Sequence, residues 1–241
     1  NDSVFLAHHC LTLGLEYKVK FPDFDEGDKT GKVLKQTCIF VDMVPLFREM
    51  ASSSLNDMLE LQKHQLAEIV GSRLSYFGQS LRSDESVQEW SEAETALAAG
   101  TYHMRHLAQA WQSILSPSVF LRSMGYLADV LFSLYLKEVM HAATITVSAR
   151  QFASVLFRKA TDDVGKLLEI AQDPSKYSHE WDRFVAVGKF LEVDQLALVE
   201  QALSSGVFRQ LTSHELSRLV QATYVDSPHR HALLNGMASV V

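Results

Sequence analysis

Apolar residues recur along this chain at steps of three and four, and sustained alternation at a period of two is absent. The clearest run extends from about Ser86 to Leu115, where Trp90, Ala93, Leu97, Gly100, Met104, Leu107, Trp111 and Ile114 form a seam. Such a seam predicts a helix that needs at least one partner. Ala93 and Gly100 are small enough to admit a close neighbour, and the two tryptophans supply most of the area to be buried. Ser116 followed by Pro117 then predicts a new helix start, since serine caps and proline suits the first turn. From Val119 to Met140 the pattern is apolar on several sides: Phe120, Met124, Leu127, Leu131 and Leu134 form one face, and Val130, Phe132, Leu136 and Val139 cover others. A helix of that kind belongs at the centre of a core.

Flanking segments carry the same period. At the start Val4, Ala7, Leu11 and Leu15 share a face, and a long helix is predicted from about Asp42 to Leu74 with Leu55, Met58, Leu59, Leu66 and Ile69 inward and Gln62 interrupting. Ser148 is placed to cap a helix with Phe152, Val155, Leu156, Ala160, Val164, Leu167, Leu168 and Ala171 inward, ending at Asp173 and Pro174. Beyond Ser178 the elements shorten, to Trp181–Leu191, Leu196–Leu203, Ser213–Tyr224 and Ser227–Ala238, which predicts a compact terminal cap. Val33–Val41 is the one strand candidate. The expected fold is all-α, with elongated antiparallel helical bundles: a long-helix bundle over 1–145 and a C-terminal bundle over 146–241.

Composition narrows the function classes. Acidic residues outnumber basic ones, 29 to 22, for a net charge of −7, and no Lys/Arg cluster forms the positive face that phosphate neutralisation requires. Direct nucleic-acid binding is therefore not expected. With only Cys10 and Cys38 there is no disulfide framework, which makes a cytosolic setting with reduced thiols the default. The most apolar stretch, Val119–Met140, contains Arg122, Asp129, Lys137 and Glu138, so it reads as a core helix and not as a membrane span. The chain starts at Asn1 already in helical register, and it is expected to be a portion of a longer protein.

Candidate chemistry fails on spacing. Gly27 and Gly31 enclose three residues where a phosphate loop needs four, and Lys32 is followed by Val33 instead of a hydroxyl residue. Asp23, Asp25 and Asp28 offer oxygens for calcium, but Gly27 is fifth instead of sixth and Leu34 stands where the twelfth-position glutamate belongs. His8 and His9 beside Cys10, His103 with His106, and His229 with His231 lack HExxH or paired CxxC spacing, and no GxSxG elbow is present. His8, His9 and His106 are expected to bond within helix packing, His229 and His231 to be solvated, and Cys10 to act as a small buried hydrophobe. The expectation is a chain with no catalytic residue, no metal and no cofactor. Partner contacts are sought among the final short helices, at Phe208, Leu216, Tyr224, Leu234 and Met237, because four short helices give each other limited cover. An alternative is a peptide-binding adaptor using the acidic loop 21–32.

Several segments resemble a known family. Leu6-Ala7-His8-His9 with Leu11, Leu13 and Gly14, then Phe40 to Arg48, then Leu107 with Trp111 to Pro117, Met124 and Gly125, follow in order the landmarks of the Zeste-white-ten family. Trp181, Phe184, Leu191, Gly206, Leu211 to Glu215, Leu219, Ala222, Arg230 and Leu233 are similar to its closing pattern. The resemblance implies a non-enzymatic scaffold, the C-terminal part of a helical rod. It implies two assemblies: one with Rod and Zwilch at kinetochores, serving dynein recruitment and the spindle checkpoint, and one tethering Golgi-derived vesicles at the endoplasmic reticulum with the neuroblastoma-amplified protein and membrane-fusion receptors. Docking onto a large helical-solenoid partner is the implied mechanism, with membrane association indirect.

Overall fold

The computed structural model describes residues 2–20, 43–82, 87–169 and 171–238. Among them are nine α-helices, one 3-10 turn and no strand, so the chain is all-α. The helices are α1 (Asp2–Lys20), α2 (Met43–Ser80), α3 (Val87–Gln112), α4 (Pro117–His141), α5 (Val147–Leu167), α6 (Trp181–Glu192), α7 (Leu196–Ser204), α8 (Ser213–Thr223) and α9 (Pro228–Ala238), with the 3-10 turn at Pro174–Lys176. The strand candidate 33–41 and the acidic loop 21–32 lie outside the described residues.

Two compact units emerge, Asn1–Leu61 and Gln62–Val241. Position 145, where a boundary was expected, falls inside the second unit, because α3 and α4 pack against α5 and α6 across it. The backbone is stitched there as well. Ile145 N–H donates to the carbonyl of Ala222 at 2.7 Å, and Thr146 N–H to that of Leu81 at 3.0 Å, so one short connection satisfies the ends of two other elements.

In the second unit α4 is the central helix that its all-round apolarity predicts. Its buried side includes Phe120, Met124, Leu127, Leu131, Phe132, Tyr135, Leu136 and Val139, and it packs on α3, α6 and α8. Among the described residues α4 alone is long and apolar enough to cross a bilayer, and more than half of that stretch is buried inside the protein. The α3 seam works as its spacing suggests. Gly100 lies where α2, α3 and α4 converge, since a β-carbon there would come 2.8 Å from Val70 Cγ2 and 3.3 Å from Leu131 Cδ1. Tyr135 reaches across from α4 to donate its hydroxyl to the carbonyl of Ala93 at 3.0 Å, and burial pushes the phenol pKa far up, which keeps it a donor.

Aromatic rings join the central helices to α6. Phe184 is fully buried and stacked between Phe132 of α4 and Phe157 of α5, each with a centroid separation of 4.1 Å. Trp181 adds a tilted contact to Phe132 at 5.8 Å. Just ahead of α6, the turn at 174–178 comes so close to α4 that Gly125 has no room for a side chain: its β-carbon would overlap the Tyr177 carbonyl oxygen. One turn along α4, Asp129 accepts from Ser178 Oγ at 2.6 Å and from the Glu180 amide at 2.9 Å, acting from another helix as the cap of α6. An acidic residue inside an otherwise apolar helix is thereby given partners.

Helix starts follow local chemistry closely, whereas α2 continues past the expected Leu74 to Ser80 and α5 ends at Leu167, short of the expected Asp173. Ser116 precedes α4 in an extended conformation with Pro117 at the first turn. Thr146, and not Ser148, caps α5, its Oγ1 accepting from the Ala149 amide at 3.3 Å. Thr212 and Glu215 form a reciprocal capping box at α8, each side chain bonding the other's backbone amide. Four positions expected inward face solvent instead: Val4 and Leu11 of α1, Ile114 after α3, and Val155 of α5. On α5 the buried face runs through Ala149, Ala153, Leu156, Phe157, Ala160 and Val164, one step round from Val155.

Candidate docking surface

The five residues sought as partner contacts are largely turned inward. Phe208, Leu216 and Met237 are buried, and Tyr224 and Leu234 are half-buried. The short helices cover one another better than their lengths suggest, because Phe190 of α6 sits between two of these residues, edge-on to Phe208 at 5.8 Å and to Tyr224 at 6.2 Å. These side chains hold the terminal helices together in this conformation.

Tyr224 carries more than packing. Its hydroxyl donates to the carbonyl of Val193 at 2.7 Å, and Arg150 Nη1 donates to the same oxygen at 2.9 Å with its guanidinium 5.8 Å from the Tyr224 ring centroid. Val193 closes the C-terminus of α6, where cationic donors complement the helix dipole. Burial, with Asp194 acting in the same direction, raises the Tyr224 pKa against the opposing charge of Arg150. Arg230 serves α8 in the same way, donating to the carbonyls of Tyr224 at 2.7 Å and Gln221 at 3.4 Å.

A charged link connects α6 and α8. Arg183 Nε and Nη2 donate to Glu215 Oε1, and its Nη1 donates to Glu180 Oε2 at 2.8 Å. Burial alone would raise the Glu215 pKa, but hydrogen bonds from the Thr212 amide and hydroxyl, together with Arg183, hold it below the ordinary glutamate value. A carboxylate with a depressed folded pKa adds stability at pH values above its unfolded pKa, and loses that contribution as pH falls through the folded value. The melting-temperature gap between the parent and Glu215→Gln is therefore expected to be constant above about pH 5 and to shrink towards pH 3. A gap independent of pH in differential scanning fluorimetry would contradict this linkage.

The histidines do not converge. His8, His9 and His106 are exposed, and His9 stacks on Phe5 at 6.1 Å. His103, not His106, makes the packing bond, to Gln62 Oε1 at 3.1 Å, and burial together with its neighbour His106 lowers its pKa. His229 and His231 are exposed as expected, each 3.4 Å from a carboxylate, Glu200 and Asp226 respectively. Cys10 is half-buried rather than enclosed. No group of three or more His, Cys, Asp and Glu among the described residues is arranged to hold a metal ion.

Exposed apolar side chains are concentrated in the first unit. Along α1, Val4, Phe5, Leu6 and Leu11 face solvent, Phe5 by 68%, and near the start of α2 so do Leu46 and Met50. Ala7 and Val44 are the buried apolar residues described in that unit. In the second unit exposed apolar residues are scattered singly, such as Tyr102, Val155 and Leu198, which is ordinary for a protein surface. The exposed apolar residues of α1 and of the start of α2 are those best suited to meet another apolar face.

Residues 95–237 match the family model described as the ZW10 C-terminal helical domain, which is more than half of the chain. The chain belongs to the ZW10 family. A second model, "Centromere/kinetochore protein zw10, C-terminal", matches residues 1–68, so the two ZW10 matches meet α1 and most of α2 on one side and α3 to α9 on the other. The centromere/kinetochore protein zw10 homolog of Mus musculus is 22% identical over 247 residues, covering 97% of this chain and 30% of its own length. That of Arabidopsis thaliana is 19% identical over 242 residues, covering 97% of this chain and 31% of its own. The chain thus spans about 30% of the length of these curated ZW10 relatives. At such identity the cap formed by Asp129 and the link between Arg183 and Glu215 have to be derived from this chain's own geometry. Two local signals pointed to them: a carboxylate inside the apolar run of α4, and the Thr-x-x-Glu spacing of Thr212 and Glu215.

Proposed function

We propose that this chain is a non-enzymatic scaffold part of a kinetochore assembly that docks a large helical-solenoid partner through the exposed apolar residues of α1 and the start of α2. What carries the reading is family membership, together with relatives named as centromere/kinetochore proteins. Rod and Zwilch are the proposed partners at kinetochores during mitosis. In interphase the proposed site is the periphery of the endoplasmic reticulum, with the neuroblastoma-amplified protein and fusion-receptor tethering partners, and with membrane contact made only through them. The mechanism is geometric. A helix such as α3, with 26 residues, holds its ends about 39 Å apart, and burial of Ala93, Leu97, Gly100, Met104 and Trp111 along its seam ties it to its neighbours. Contacts made at one end are thereby transmitted as position.

The docking step has a direct test. Purified chain immobilised on resin is expected to capture the Rod-type or the neuroblastoma-amplified-type solenoid. A Phe5→Glu/Leu11→Glu variant with unchanged circular dichroism should lose at least ten-fold in capture, since an unpaired charge in an apolar interface costs several kcal/mol. Phe208→Ala should lower the melting temperature and leave capture intact. Failure of the folded chain to capture either solenoid, or undiminished capture by the double variant, would sink the proposal. The adaptor alternative on loop 21–32 predicts loss of capture on deleting that loop.

A further inference from the structure

Ser227 combines a sequence pattern and a placement that the docking function does not use. Two of the five prolines follow a serine, at Ser116-Pro117 and Ser227-Pro228, and both pairs start helices, α4 and α9. Proline in the first turn suits both starts, and Ser227 Oγ caps α9 whereas Ser116 makes no side-chain cap bond. Only the second pair has a basic residue at the third following position, in Ser227-Pro228-His229-Arg230; after Ser116 that place is Val119. Serine, then a residue without a backbone N–H, then a cation two residues further on is the pattern read by proline-directed serine kinases with a preference for a basic third residue.

Solvent reaches the residues on both sides of this serine. Val225 is 88% exposed, the highest value among the exposed large apolar residues, and Asp226, Pro228 and His229 are exposed with it, while Ser227 itself is half-buried. Residues 225–227 are outside any helix, so the stretch before the serine is not locked in a backbone ladder. Ser227 Oγ accepts from the Arg230 amide at 3.2 Å, and Arg230 Nη2 lies 2.8 Å from Asp226 Oδ1. A phosphate on that oxygen would keep the amide as a donor and find the guanidinium within one helical turn.

We propose that Ser227 is a phosphoacceptor for a proline-directed kinase. In the reaction the Ser227 Oγ–P bond forms as the bond from the γ-phosphorus of ATP to its bridging oxygen breaks. ADP leaves, and the hydroxyl proton passes to the kinase's base. The product carries about −1.5 to −2 of new charge at the start of α9, where the helix dipole favours it, and the phosphate repels Asp226 and competes with it for Arg230.

Incubation of the full chain with magnesium-ATP and a proline-directed kinase that prefers a basic third residue, followed by mass-spectrometric mapping, tests this without reference to docking. Phosphate is expected at Ser227, absent in Ser227→Ala, restored as phosphothreonine in Ser227→Thr, slowed at least several-fold in Pro228→Ala and unaffected by Ser116→Ala. Circular dichroism confirms that each variant is folded. The proposal is overturned if Ser227→Ala takes up phosphate as fast as the parent. It is equally overturned if the folded chain stays unlabelled, whether or not a peptide of residues 222–234 is labelled.

Discussion

Phe184→Ala is expected to lower the melting temperature by roughly 6–20 °C. The ring is fully buried and stacked on both faces, by Phe132 and Phe157. Removing it leaves a cavity bounded by two flat rings on different helices, α4 and α5, which cannot collapse without shifting both. Truncations of this type cost about 3–5 kcal/mol. For a chain of this size each kcal/mol moves the midpoint by about 2–4 °C. Thermal unfolding followed by circular dichroism provides the measurement, with Val225→Ala as the control expected to change almost nothing, because Val225 is 88% exposed. A shift for Phe184→Ala no larger than the control would mean that α6 does not pack as described.

Gly125→Ala is expected to be nearly as damaging, although it adds one methyl group. Alanine ordinarily improves a helix interior, by about 0.5–1 kcal/mol over glycine. At position 125 that gain is overwhelmed, since the new methyl would overlap the carbonyl of Tyr177, and the obstacle is backbone and not a movable side-chain tip. Either α4 or the turn at 174–178 has to withdraw, and that turn carries Ser178 and leads directly to Glu180, the two groups that donate to Asp129. Overpacking of this kind costs about 1–3 kcal/mol, and loss of the cap adds about 1 kcal/mol. The matched control is Gly71→Ala in α2, where the added β-carbon meets nothing within 4 Å. Gly71→Ala should hold or raise the melting temperature while Gly125→Ala lowers it by several degrees. Equal responses at the two glycines would refute the close approach.

Spacing of three and four gave the helices and their order, because an α-helix repeats its apolar face every 3.6 residues whatever it packs against. It did not give every end: α2 runs on to Ser80 where Leu74 was the expected end, and α5 stops at Leu167 ahead of the expected Asp173. The same pattern placed α4 at the centre, since a helix apolar on most sides has nowhere else to go, and it marked Gly100 as a crossing point. It misjudged which way single residues turn. Val155 and Ile114 continue the apolar pattern yet face solvent: the buried face of α5 lies one step round from Val155, and α3 has ended at Gln112 before Ile114 is reached. Phe208, Leu216 and Met237 were sought as partner contacts because four short helices give one another limited cover, and all three are buried, Phe208 against Phe190.

What the sequence by itself determined was the all-helical class, the absence of spacing for the metal and nucleotide motifs sought, and the family to which the chain belongs. These depend on local periodicity and on residue order, both of which are written along one dimension. What only the tertiary structure decided was which distant groups meet: Asp129 with the amide of Glu180, Arg183 with Glu215, Arg150 and Tyr224 on one carbonyl. Each of these pairs is separated by tens of residues, and nothing in the spacing of either partner specifies the other. The exposure of Phe5 and the burial of Phe208 are likewise set by which helices lie alongside, a property of packing in three dimensions to which a single chain's hydropathy pattern is blind.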